Sequence, residues 1–162
     1  LMHMTKTIKV NFFSQSKKWP RRIPKIKEIS IKTINKMRHY FDKNYTITLN
    51  LILSDKKNMI QLNHKYKKKQ KDTDVLTFVK KITNKELGKI VYCDIFFSID
   101  IIESYINKNK INLYDHYNHL LIHSILHING YDHKNLFQFN KMKKEEEKVL
   151  KKFGIKNPYK EL

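Results

Sequence analysis

Very little in this sequence breaks or cross-links a chain: 162 residues hold three glycines, three prolines and one cysteine. A single thiol, Cys93, excludes an intramolecular disulfide, so the protein is expected in a reducing, cytoplasmic setting. No stretch approaches the roughly 20 apolar residues of a spanning helix, and the first residues form no continuous apolar run of signal-peptide type. The expectation is a soluble protein with no membrane partner. There is no internal repeat and no Pro/Gly/Ser linker, and the length suits one domain, 5 to 162, that buries its core unaided. Residues 1 to 4, "LMHM", are read as a cloning remnant and set aside.

Negative charge is also scarce. Thirty-four Lys plus Arg against 15 Asp plus Glu give +19, an excess that attracts polyanions with little regard to their sequence. Nucleic acid is the obvious partner class. Arginine occurs only at 21, 22 and 38, however, and a drift toward lysine codons explains such a balance equally well, so charge alone decides nothing.

The hydrophobic pattern predicts four strands. "TIKVNFF" (7 to 13) reads as one, and "YTITLNLIL" (45 to 53) as a half-buried second, with Ile47, Leu49, Leu51 and Leu53 alternating inward. "DVLTFV" (74 to 79) and "KIVYCDIFFS" (89 to 98) follow, separated by a polar connection containing Gly88. Helices are expected after Pro24, with Ile26, Ile29, Ile34, Met37 and Phe41 at helical spacing, and after the caps Ser54 and Asp55. Three more are expected from Asp100, over 113 to 129 with its stop at Asn129-Gly130, and over 135 to 153. The fold class is α+β with an α/β character: a mixed four-stranded sheet, mostly parallel with one strand reversed, flanked by about five helices.

"HSILHINGYDH" (123 to 133) then stands out, because three of the chain's eight histidines fall within it. On a helix His123 and His127 lie one turn apart on one face, their Cβ atoms about 5 to 6 Å apart, and can address one ion. Gly130 can adopt positive φ and turn the chain so that His133 supplies a third imidazole. Three protein ligands leave a position for water, the pattern of a catalytic zinc site rather than a structural one. One zinc, or another first-row divalent ion, is expected per chain. His116 and His119, one and two turns upstream, read as helix-surface groups or as supports of the ligands. His3, His39 and His64 have no such context.

The spacing H-x3-H-x2-G-x2-H is shared with metzincin proteases, whose general base is a glutamate directly after the first histidine. Here that residue is Ser124, which has no useful basicity near neutral pH. The segment resembles instead the H-G-x-L-H-L-x-G-Y-D-H signature of the YbeY family of bacterial metal-dependent endoribonucleases. His123, Leu126, His127, Gly130, Tyr131, Asp132 and His133 match, while Ser124 and Ile128 depart. "LNHKYKKKQKDTDVLTF" (62 to 78) is similar to that family's L-N-x-x-Y-R-x-K-x-x-x-T-D-V-L-S-F-P segment through Leu62, Asn63, Tyr66, Lys69, Thr73, Asp74, Val75, Leu76 and Phe78. "CDIFFS" (93 to 98) resembles its G-D-I-x-I-S strand end. Lys67 stands where the family has arginine, Cys93 where it has glycine and Val79 where it has proline.

The resemblance implies a single-strand-directed endoribonuclease of ribosomal RNA processing, acting at the 3′ end of the small-subunit RNA and in ribosome quality control. Its partners would be ribosomal RNA and the small ribosomal subunit, with no DNA. The implied metal ligands are His123, His127 and His133, with Lys67 and Asp132 as catalytic candidates and Lys65, Lys68, Lys69 and Lys71 as phosphate contacts. Lysine keeps the charge of the family arginine but loses its planar fork. For Asp132, orienting a ligand histidine is favoured over acting as general base. Two other readings stay open: a non-catalytic ribosome-assembly or RNA-binding protein with a structural metal, and a metal-dependent hydrolase of another substrate.

Overall fold

The computed structural model describes residues 7 to 22, 24 to 65 and 74 to 159. Four strands, β1 (Ile8–Ser14), β2 (Tyr45–Ser54), β3 (Val75–Asn84) and β4 (Gly88–Ser98), form one sheet in the order β1-β2-β4-β3. β1 runs parallel to β2 and β2 to β4; β3 is antiparallel to β4. This is the mixed sheet, with one reversed edge strand, that the hydrophobic pattern predicted. The helices are α1 (Lys18–Arg22), α2 (Ile26–Lys36), α3 (Lys56–Lys65), α4 (Ile99–Asn109), α5 (Leu113–Ile128) and α6 (Leu136–Lys152).

Alternation in the strands decides which face is covered. Ile47, Leu49, Leu51 and Leu53 of β2 and Val91, Cys93, Ile95 and Phe97 of β4 are all buried, and α5 adds Tyr117, Leu121, Ile125 and Leu126 to the same core. Cys93, where the family has glycine, fills part of this core. Burial pushes its thiol up to about 12, so it is an inert packing group.

Two elements exceed the expectation. β3 continues to Asn84 because its hairpin partner is near: the Asn84 side chain accepts from the backbone N–H groups of Glu86 and Leu87, and Gly88 takes φ +76° to re-enter β4. α1 is a short turn held by its one aromatic. Trp19 is fully buried, packs edge-on against Phe97 and Tyr117, and donates its indole N–H to the Ser54 carbonyl at 2.7 Å.

α5 is fixed at both ends. Asn112 caps its first turn through the Tyr114 and Asp115 amides. At the other end Gly130, at φ +98°, lets the Tyr131 amide bond the Leu126 carbonyl and the Gly130 amide bond that of His127. These two bonds constitute a Schellman turn, and only glycine takes that φ without strain.

Candidate metal centre

His116, His119, His123 and His127 lie along one stripe of α5, at spacings of three, four and four residues. Each ring nitrogen that faces the protein has an acceptor. His116 Nε2 meets Asp74 Oδ2 at 3.1 Å, and His119 Nε2 bonds Glu146 Oε1. His123 Nδ1 meets Glu146 Oε2 at 3.0 Å, and His127 donates its Nδ1–H to the Tyr131 carbonyl at 3.1 Å. A carbonyl cannot donate, so His127 is the Nδ1–H tautomer with its Nε2 lone pair free. The carboxylate imposes the same tautomer on His123. Both helix histidines therefore hold out Nε2 as a donor atom, which is how metal-ligating imidazoles are usually prepared.

His133, carried back by the turn at Gly130, brings its ring centroid to 5.7 Å from that of His123 and 6.0 Å from that of His127. Three imidazoles on one tetrahedral zinc ion require about 5.2 Å between centroids, given Zn–N bonds of about 2.0 to 2.1 Å. Among the described residues, accordingly, no three His, Cys, Asp or Glu side chains are closed to metal-holding distances. The two distances to His133 exceed that spacing by about 0.5 and 0.8 Å. The His133 ring is nearly parallel to the other two, at 25° and 20°, and is exposed, so little packing opposes a rotation of this side chain. The donor set fits a divalent ion accepted by imidazoles. Burial pushes the His127 imidazole below its usual pKa, against the opposing pull of the Tyr131 carbonyl and Asp132, which favours the neutral, ligating form.

Glu146 is the residue that sequence reasoning missed. It is fully buried, on the inward stripe of α6 with Met142, Val149 and Leu150, and it receives His119, His123 and, at 3.4 Å, the Tyr159 hydroxyl. Burial raises its pKa, but the hydrogen bonds and charges of the two histidines outweigh that and bring it down to about 2. Spacing alone narrows the choice without settling it: of the glutamates at 145 to 147, both Glu145 and Glu146 fall at helical spacing from Met142 and Val149, and only Glu146 does so from Leu150 as well.

The ring partners of His123 and His127 are Glu146 and the Tyr131 carbonyl, not Asp132. Asp132 accepts from the His133 amide at 2.8 Å and lies 3.6 Å from the Lys134 ammonium. The His133 amide holds its carboxyl below the usual range, so it is an ionised carboxylate beside the cluster. Lys65 is exposed at the end of α3. Tyr66, Lys67, Lys68, Lys69, Lys71 and Thr73 lie outside the described residues. Asp74, where description resumes, is tied to α5 through His116 and accepts from the Ser98 amide at 2.9 Å. Two of the three segments of the family pattern thus meet at Asp74 and Ser98, and His116 ties them to the helix that carries the third.

The family model for Endoribonuclease YbeY matches residues 11–154. The chain belongs to the YbeY family. Endoribonuclease YbeY of Ehrlichia canis (strain Jake) is 37% identical over 147 residues, which cover 88% of this chain and 92% of that protein. That of Ehrlichia chaffeensis is 35% identical, over 94% and 96% of the two chains. The Buchnera aphidicola (subsp. Baizongia pistaciae) protein is 31% identical over 96% and 99%.

Against the family glycine, Ser124 is an outlier with a cost. Its side chain is buried and Oγ has no hydrogen-bond partner. Ser124→Ala is therefore expected to stabilise the protein by about 1 kcal/mol, raising Tm by roughly 2–4 °C with metal content unchanged. A lower Tm in a thermal melt would mean that the hydroxyl is satisfied. Ser124→Glu, which would recreate the protease pattern H-E-x-x-H, instead drives a carboxylate into the core and is expected not to fold.

Proposed function

We propose that this protein is a metal-dependent endoribonuclease that cuts unpaired RNA and serves ribosomal RNA processing. The steps this reading gives it are 3′ end maturation of the small-subunit RNA and ribosome quality control. It is a cytoplasmic hydrolase of phosphoester bonds, with one zinc ion per chain and the small ribosomal subunit and its RNA as partners. The observation that carries this reading is the pair of Nε2 atoms held out by His123 and His127 beside His133, in a chain of net charge +19 from a family named for RNA cleavage.

When bound, the ion supplies an acidified water and a Lewis acid for a phosphoryl oxygen. The protein's own groups do the rest. Glu146 and the Tyr131 carbonyl fix the ligand rings, and Asp132, ionised beside His133, can accept a proton. Lys65, Lys67, Lys68, Lys69 and Lys71 neutralise the phosphate backbone, which gives affinity without sequence preference.

Cleavage assays on matched single-stranded RNA, duplex RNA and casein separate the readings. The nuclease reading expects chelator-sensitive cutting of the single strand above the duplex. Casein hydrolysis abolished by chelator and by His127→Ala would replace it with a protease. Metal binding without any cleavage would leave an assembly factor with a structural metal.

Within the basic segment, Lys67→Ala is expected to reduce cleavage far more than Lys68→Ala, although each removes one charge. Equal losses in kcat/KM would demote Lys67 to general electrostatic attraction. Lys67→Arg should keep or raise activity, since it restores the bidentate fork.

A further inference from the structure

Directly after His133 the chain exposes two large apolar side chains in succession: Leu136 is 74% and Phe137 78% accessible, and Phe139 follows at 39%. The inward stripe of α6 is complete without them, in Met142, Glu146, Val149 and Leu150, so these side chains add nothing to the core. They are nevertheless held firmly. Asn135 accepts from the Gln138 amide at 2.8 Å, and Gln138 Oε1 accepts from the Lys134 amide at 3.2 Å, which locks the first turn of α6.

Their neighbours are cations. Phe137, Lys141, Lys144 and Lys148, at steps of four, three and four residues, share one exposed face, and Lys134 precedes Phe137 by three. One ammonium per turn is a spacing of about 5.4 Å, which the phosphates of a flexible single strand can follow. A surface ring leading a row of lysines selects a partner with flat apolar faces and an anionic backbone. Lysine is depleted at protein–protein interfaces, so the row argues against a protein occupant.

We propose that Phe137, with Leu136 beside it, is a stacking platform for an unpaired RNA base next to the scissile phosphate, and that the Lys134, Lys141, Lys144 and Lys148 face carries the adjoining strand. This deepens the endoribonuclease reading and rests on it: a platform of this kind accepts a splayed base and refuses a stacked duplex.

Phe137→Trp supplies a direct probe, because the chain's one tryptophan, Trp19, is fully buried. Its fluorescence should be quenched by a single-stranded oligouridine RNA and not by the corresponding duplex. Phe137→Ala should raise KM for single-stranded RNA about tenfold or more with kcat within twofold, and Phe137→Tyr should restore it. Quenching is read independently of cleavage, so a protein that binds without cutting would sink the enzyme assignment and leave the platform standing. If single-stranded RNA quenches no better than duplex, the platform is wrong. That holds equally if the tryptophan variant instead reports self-association or binding to anionic phospholipid vesicles.

Discussion

Alanine in place of His127 is expected to abolish cleavage of single-stranded RNA and to release the metal, while leaving the protein folded. The effect should exceed the roughly ten- to hundredfold loss that follows removal of a hydrogen-bond partner behind a ligand, because on the proposed function a ligand itself is removed. His127 is the most firmly prepared of the three imidazoles: it lies in the last turn of α5, half-buried, with Nδ1 committed to the Tyr131 carbonyl of its own Schellman turn. Its removal costs one hydrogen bond at the surface of the core, about 1 kcal/mol, which a folded domain tolerates. Elemental analysis together with a cleavage time course checks this. Retained metal with retained cutting would place the chemistry elsewhere.

The second large effect is expected at Glu146. It lies fully buried beneath α5 and receives three donors, so truncation to alanine leaves His119, His123 and Tyr159 facing a void. Loss of about 3 to 5 kcal/mol of stability is expected, as when one partner of a buried charged set is removed. Glu146→Gln separates positioning from packing. It keeps the volume but turns an N–H group toward one of the two histidines, so zinc affinity should fall about ten- to hundredfold at a stability cost of only about 1–3 kcal/mol. Zinc titration of the folded variant, scored beside its Tm, decides the matter. Unchanged zinc affinity with a lowered Tm would make Glu146 a purely structural group.

These two residues mark what was and was not legible in the sequence. The grouping of His123, His127 and His133 was legible because helical spacing and a glycine stop are local rules, and the turn at Gly130 brings the His133 ring beside the other two as those rules require. Alternation in 45 to 53 likewise fixed which face of β2 is buried. Glu146 did not declare itself, because its partners are 23 and 27 residues away and only the packing of α6 on α5 brings them together. Asp132 is expected to orient a ligand histidine because ligating imidazoles usually have a carboxylate or carbonyl partner; its carboxylate accepts from the His133 amide, which only the turn geometry shows. The reach of β3 to Asn84 depends on a hairpin partner, and α1 on the burial of Trp19; both are tertiary effects that override weak local preference. Phe137 read as part of an ordinary helix start, since exposure on α6 is known only once the inward stripe is placed.

The most direct measurement is zinc added back to chelator-stripped protein, with cleavage of a single-stranded RNA as the readout. Activity should be absent from the stripped protein, rise linearly, and level off near one zinc per chain, and a protein lacking His123, His127 and His133 should stay inactive throughout. Full cleavage by the stripped protein, or a zinc response that survives loss of the three histidines, would contradict the account.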